Sequence, residues 1–139
     1  MKILVDTNVI IDALTSRKPW NESAEKIFLL GANRIVDMYI TASSATDIYY
    51  LIRKHLHDTQ AAKQVMGKLY SLMGILEVIG TDCVEAIASP ITDYEDAVVE
   101  HVASRKDMDY IVTRNIKDYQ NGNVKAILPD DFINLMEGE

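Results

Sequence analysis

The chain has 139 residues, of which 48% are hydrophobic and 25% charged, and a formal net charge of −7. That length suits one domain with a proper core, and no apolar run approaches a membrane span. The acidic balance excludes a broad, non-specific grip on a polyanion, so any nucleic-acid role must rest on local basic residues or on metal ions.

The single cysteine, Cys83, excludes an internal disulfide and a thiolate metal site. It reads as a small core residue in a reducing cytoplasm. The start Met1–Asp6 is too short and too soon acidic for a signal peptide.

Ile3-Leu4-Val5 is a compact apolar stretch of the kind found in a fully covered parallel strand. It stops at Asp6, and a helical pattern through Val9, Ile10, Ala13 and Leu14 begins at once. A polar loop with Arg17, Lys18, Pro19 and Trp20 follows. Asn21 is placed to cap a helix carrying Ala24, Ile27 and Phe28, and Gly31 to end it. Met38–Thr41 is the second strand. Ser43-Ser44 open a long helix with Ile48, Leu51, Ile52 and Leu56 on its apolar stripe. Thr59 is placed to cap the next helix, and Ile75–Ile79 is the third strand, closed by Gly80.

The second half repeats the logic. Thr81-Asp82 start a short helix, and Thr92 with Glu95 has capping-box form for a helix burying Tyr94, Ala97, Val98 and Val102. Tyr110–Thr113 is the fourth strand, Val124–Ile127 the fifth, and Pro129 opens a last helix. Strands alternating with helices predict a parallel sheet covered on both faces, a three-layer α/β/α sandwich.

Four acids fall at comparable places. Asp6 ends strand one, and Asp47 lies in the first turn of the helix after strand two. Asp96 lies near the start of the helix before strand four, and Asp118 in the loop after it. Each has an ordinary structural use: Asp6 as a cap, Asp47 in a capping box, Asp96 at a helix dipole, Asp118 in a turn. If strands one and four are neighbours where the winding reverses, all four meet on one rim. Carboxylates on one rim repel unless a cation is present. Oxygen donors without a Cys or His cluster suit Mg²⁺ or Mn²⁺. The chemistry implied is metal-assisted phosphodiester hydrolysis.

Val5-Asp6-Thr7-Asn8, the acid at 47, Tyr94-Glu95-Asp96-Ala97 and Thr113-Arg114-Asn115-Ile116-Lys117-Asp118-Tyr119 together resemble the PIN domain. The resemblance runs through nearly the whole chain and implies a single domain over 1–139, with a five-stranded parallel sheet in order 3-2-1-4-5. It further implies Mg²⁺- or Mn²⁺-dependent endoribonuclease activity, an RNA substrate and, as in VapC-like toxins, an antitoxin partner. Carried over by position, Asp6, Asp47, Asp96 and Asp118 would be the catalytic and metal-binding acids. Thr7, Asn8, Thr113 and Asn115 would support them. The chain departs from the pattern in having Asp47 where many members carry Glu, and Asn115 where others place an acid. Tyr119 stands for a common Phe.

Arg114 and Lys117 beside Asn115, and Arg17 and Lys18 in the first loop, are the candidate substrate-binding cations. Trp20 reads as a packed loop anchor, His55, His57 and His101 as structural, and Tyr49 and Tyr50 as core or interface residues, which leaves a homodimer open. Two further readings compete. A phospho-acceptor domain needs its acceptor at a strand's carboxyl end, whereas Asp47 stands within a helical pattern. A catalytically weak or inactive PIN scaffold that binds RNA or protein would have less need of the acids.

Overall fold

The computed structural model describes residues 1–138. Its sheet has five strands in the order β3-β2-β1-β4-β5. The strands are β1 (Lys2–Val5), β2 (Asp37–Thr41), β3 (Gly74–Leu76), β4 (Tyr110–Val112) and β5 (Ala126–Ile127), and every pairing is parallel. The parallel direction is the one the alternation of strands and helices predicts, and the order is the one the resemblance implies.

The central strand explains the layering. Successive side chains of a strand point to opposite faces. Ile3 and Val5 pack into a core with helices α1 (Thr7–Leu14), α2 (Asn21–Ala32), α3 (Ala42–Leu56), α4 (Thr59–Leu72) and α7 (Pro129–Glu137). Leu4 packs the other way, with α5 (Gly80–Ala86) and α6 (Tyr94–Arg105). All three are at most 1% exposed, and each such burial contributes about 1.5–3 kcal/mol. Because β1 lies between β2 and β4, the winding reverses beside it. Asp6 at its carboxyl end therefore opens onto a crevice.

Several boundaries differ from expectation, in three helices because a neighbouring side chain in extended conformation takes the cap. Thr41, not Ser43 or Ser44, caps α3, accepting from the Ser44 N–H at 3.3 Å. Asp47 is therefore in the second turn, not the first. Asp58 rather than Thr59 caps α4, and Asp93 rather than Thr92 caps α6, accepting from the Asp96 N–H at 2.9 Å. Asn21 is the first residue of α2 and bonds Glu25 instead of capping. Gly31 does not end α2. Its missing side chain admits Met38, whose Cε would lie 1.9 Å from an added Cβ.

β3 is shorter than expected, and Gly80 begins α5 rather than closing the strand. Leu51, Leu56 and Tyr94, expected inward, are 37%, 39% and 48% exposed. Cys83 is only partly buried, while its neighbour Asp82 is fully so. Among the described residues, no helix is long and apolar enough to cross a membrane.

Candidate functional site

The end of β1 turns directly into α1, and Asp6 is the hinge. Its Oδ1 accepts from the Thr7 N–H at 2.9 Å, which caps the helix. Its Oδ2 accepts from Thr113 Oγ1 at 2.8 Å and lies 3.4 Å from Asn8 Nδ2. Thr113 follows β4 and is fully buried. Its hydroxyl also accepts from the Asn115 N–H at 3.0 Å, and Asn8 Oδ1 accepts from the Arg114 N–H at 3.2 Å. Capping and site-building are thus one arrangement. The same carboxylate that starts α1 is locked across the gap between two parallel strands.

Above it opens a cleft of about 530 Å³. Asp6, Asp96 and Asp118 line it on the side of α6 and the 3-10 turn Ile116–Tyr119, and Asp47 lines it from α3. Thr7, Asn8 and Asn115 also face it. The structure therefore brings all four sequence-predicted acids to one concavity, together with a fifth, Glu95, that sequence reasoning assigned to a capping box. With Asp93 as the cap, the Glu95 side chain is released from that duty and faces the cleft beside Asp47.

The charges in the cleft are poorly compensated. Burial, then the charges of Asp93, Asp6 and Asp118, push the Asp96 carboxyl up to about 7. Burial also raises Asp6, against the hydrogen bonds from Thr113 and Thr7, and Asp118 adds to the rise. The adjoining Asp47 carboxyl raises Glu95, assisted by burial and Asp93. Tyr119, only 3% exposed, donates its hydroxyl to Asp96 Oδ1 at 3.4 Å. Its phenol is pushed far up by burial and by the charges of Asp6 and Asp96.

Donors of this kind, carboxylate, hydroxyl and amide oxygens without Cys or His, fit a hard divalent cation such as Mg²⁺ or Mn²⁺. Mutually raised carboxyls are the condition such an ion relieves. In the positions seen, no three acidic, His or Cys side chains among the described residues converge on a single ion.

The candidate cations separate. Arg17 lines the cleft. Arg114 does not. Its Nε donates to the buried Asp12 at 2.7 Å, and its guanidinium lies 4.0 Å from the centroid of the Trp20 ring. Lys117 faces a neighbouring depression with Asp93 and Asp118, and Lys18 stands exposed in the loop after α1. Trp20 is an anchor in part, being 43% exposed with Arg114 against it. His101 is structural, held between Asp82 and Glu85.

The PIN domain family profile matches residues 2–117. No curated protein matches the chain by sequence. Among solved structures, a chain of VapBC2 from Rickettsia felis, bound to a promoter DNA fragment, is similar with TM-score 0.68 and 15% identity, over 92% of this chain and 98% of that one. A toxin–antitoxin complex from Klebsiella pneumoniae gives TM-score 0.67 and 19% identity, over 91% and 97%. VapC20 of Mycobacterium tuberculosis, described as a sarcin-ricin loop cleaving toxin, gives 0.61 and 14%, over 78% and 86%.

Proposed function

Because the chain belongs to the PIN domain family, we propose that it is a divalent-metal-dependent endoribonuclease, the toxin of a toxin–antitoxin pair. The observation that carries this reading is the cleft at the carboxyl edge of β1 and β4, where, among the described residues, five carboxyl groups and one arginine line the same cavity. Asp6, Asp96 and Asp118 would hold Mg²⁺ or Mn²⁺ from one side, with Asp47 and Glu95 opposite. When bound, such an ion lowers the pKa of an attacking water and offsets charge on the departing oxygen.

The chain's own residues prepare this. Thr113, Thr7 and Asn8 fix Asp6, and Tyr119 holds Asp96. A net charge of −7 gives RNA little general attraction, so affinity has to be concentrated at the cleft. The Mycobacterium neighbour, a sarcin-ricin loop cleaving toxin, supports RNA as the substrate. The Rickettsia and Klebsiella complexes support an antitoxin. An inhibitor that inserts an Arg or Lys among the carboxylates would satisfy them without a metal. The setting is cytoplasmic, and residues 1–139 act as one domain.

The spacing of the acids, with no three converging among the described residues, also suits a catalytically weak scaffold. One assay decides between the two. Single-stranded and structured RNAs are incubated with Mn²⁺, with Mg²⁺ and with chelator. Cleavage is expected only with metal, and Asp6→Asn and Asp96→Asn are expected to abolish it. Cleavage that persists in chelator or in both folded variants points to a contaminating nuclease. Absence of cleavage under all conditions favours the scaffold.

A further inference from the structure

The cleft is also lined by groups that the carboxylate chemistry does not use. Tyr50 and Leu51 project from α3, and Arg17 from the loop after α1. Tyr50 lies three residues beyond Asp47, which places both on one side of the helix. The residues α3 buries are Ile48 and Ile52, whereas Tyr50 is 62% exposed and Leu51 37%. An aromatic ring and a leucine are thus presented to water at the edge of a polar cleft.

Arg17 is also underused. Its side chain is 49% exposed, and its ion pair with Asp12 spans 3.9 Å. Asp12 is already engaged by Arg114 at 2.7 Å. Arg17 is the only Lys or Arg among the described residues that line the cleft.

A flat ring, an apolar neighbour and an available guanidinium beside a phosphodiester-cleaving centre match the two halves of a nucleotide. We propose that Tyr50, Leu51 and Arg17 form a nucleotide subsite in which Tyr50 stacks on an unpaired base next to the scissile phosphate and Arg17 binds a backbone phosphate. This rests on the ribonuclease reading and assigns residues of this chain to the recognition of an unpaired nucleotide. A base within a duplex is stacked on both faces and cannot offer one to Tyr50. Stacking tolerates any base, so the subsite selects for strandedness rather than sequence. Leu51 widens the apolar platform without adding a polar demand.

The test compares the parent with Tyr50→Ala, Tyr50→Phe and Arg17→Ala. The probes are fluorescent oligonucleotides: a single strand, the same strand with one abasic position near the cleavage site, and a full duplex. Cleavage in Mn²⁺ and binding by fluorescence anisotropy are both measured. Tyr50 is exposed, so its variants should melt with the parent.

Tyr50→Ala should raise KM and weaken single-strand binding roughly ten-fold, the scale of one base–aromatic contact, with kcat little changed. Tyr50→Phe should keep the parent's values, because the ring acts and not the hydroxyl. The abasic strand should cost the parent what the alanine variant loses, and cost that variant almost nothing more. Arg17→Ala should lower the salt dependence of binding by about one phosphate contact.

The proposal is overturned if Tyr50→Ala matches the parent on the single strand, if Tyr50→Phe falls as far as Tyr50→Ala, or if the duplex serves as well as the single strand. If the parent cleaves nothing yet binds single strands ten-fold better than Tyr50→Ala, the subsite stands and the ribonuclease reading fails. If it neither cleaves nor binds RNA, both fail.

Discussion

The molecule holds two clusters of acids on the same side of its chemistry but in opposite states. In the cleft, Asp6, Asp96 and Asp118 crowd together with no Arg or Lys side chain bonded to them among the described residues, and burial and mutual repulsion raise Asp6 and Asp96. Between α5 and α6, Asp82 has 0% exposure, yet its carboxyl is held down rather than raised. Burial alone would raise it. Arg105, bonded through Nε at 3.0 Å and Nη2 at 2.8 Å, the Ile79 N–H at 2.8 Å and His101 at 2.6 Å hold it well below the usual carboxylate range. Burial by itself does not decide what a carboxylate is for. The partners do: a satisfied acid ties elements together, whereas an unsatisfied group of acids is poised for a cation.

Substitutions at either group of acids separate the two states. Asp82→Ala removes a fully buried charge and takes the acceptor from four donor atoms, two of Arg105 and one each of Ile79 and His101, so unfolding should show a loss of about 3 kcal/mol. A loss below about 1 kcal/mol would put Asp82 among ordinary surface acids. Thr113→Val keeps shape while removing the hydroxyl that fixes Asp6. Calorimetry should show weaker Mn²⁺ binding, and unfolding in chelator a cost of about 1 kcal/mol.

The smallest effect concerns His101. Its hydrogen bond to Asp82, opposed by burial and helped by Glu85, raises its pKa. A raised histidine contributes stability that is fully present below its unfolded value, about 6.5, and is lost as pH rises through its folded value. The melting difference between parent and His101→Gln should therefore be larger at pH 5.5 than at pH 9. An equal difference at both would show that the ring acts only by packing.

How much of this was legible in the sequence depended on range. The strand Ile3–Val5, its Asp6 terminus and the alternation of strands and helices are local signals, whereas the winding, on which the four-acid rim depends, was implied by the resemblance to the PIN domain. Helix caps were less legible. Thr92 and Glu95 look like a capping box, but Asp93 lies one residue closer and already extended, so Glu95 is freed into the cleft. Long-range pairs left no trace in the pattern. Arg114 looks like a loose loop cation until the fold brings it onto Asp12, 102 residues away. Asp82, Arg105 and His101 are invisible as a set for the same reason. Tyr119 was readable as a departure from the family's Phe, but the hydroxyl's partner, Asp96, emerges only in three dimensions.

Thermal unfolding of the parent and Asp96→Asn in chelator and in Mn²⁺ distinguishes cleft acids that form a cation site from acids that are separate caps. Removing one charge from a repelling group should make the variant more stable than the parent in chelator, by about 1–2 kcal/mol. Mn²⁺ at roughly a hundred times its dissociation constant should stabilise the parent by about 2.7 kcal/mol and the variant by much less. If Asp96→Asn is less stable than the parent in chelator, and the parent melts at the same temperature with and without the ion, the acids are structural caps and the cleft is not a metal site.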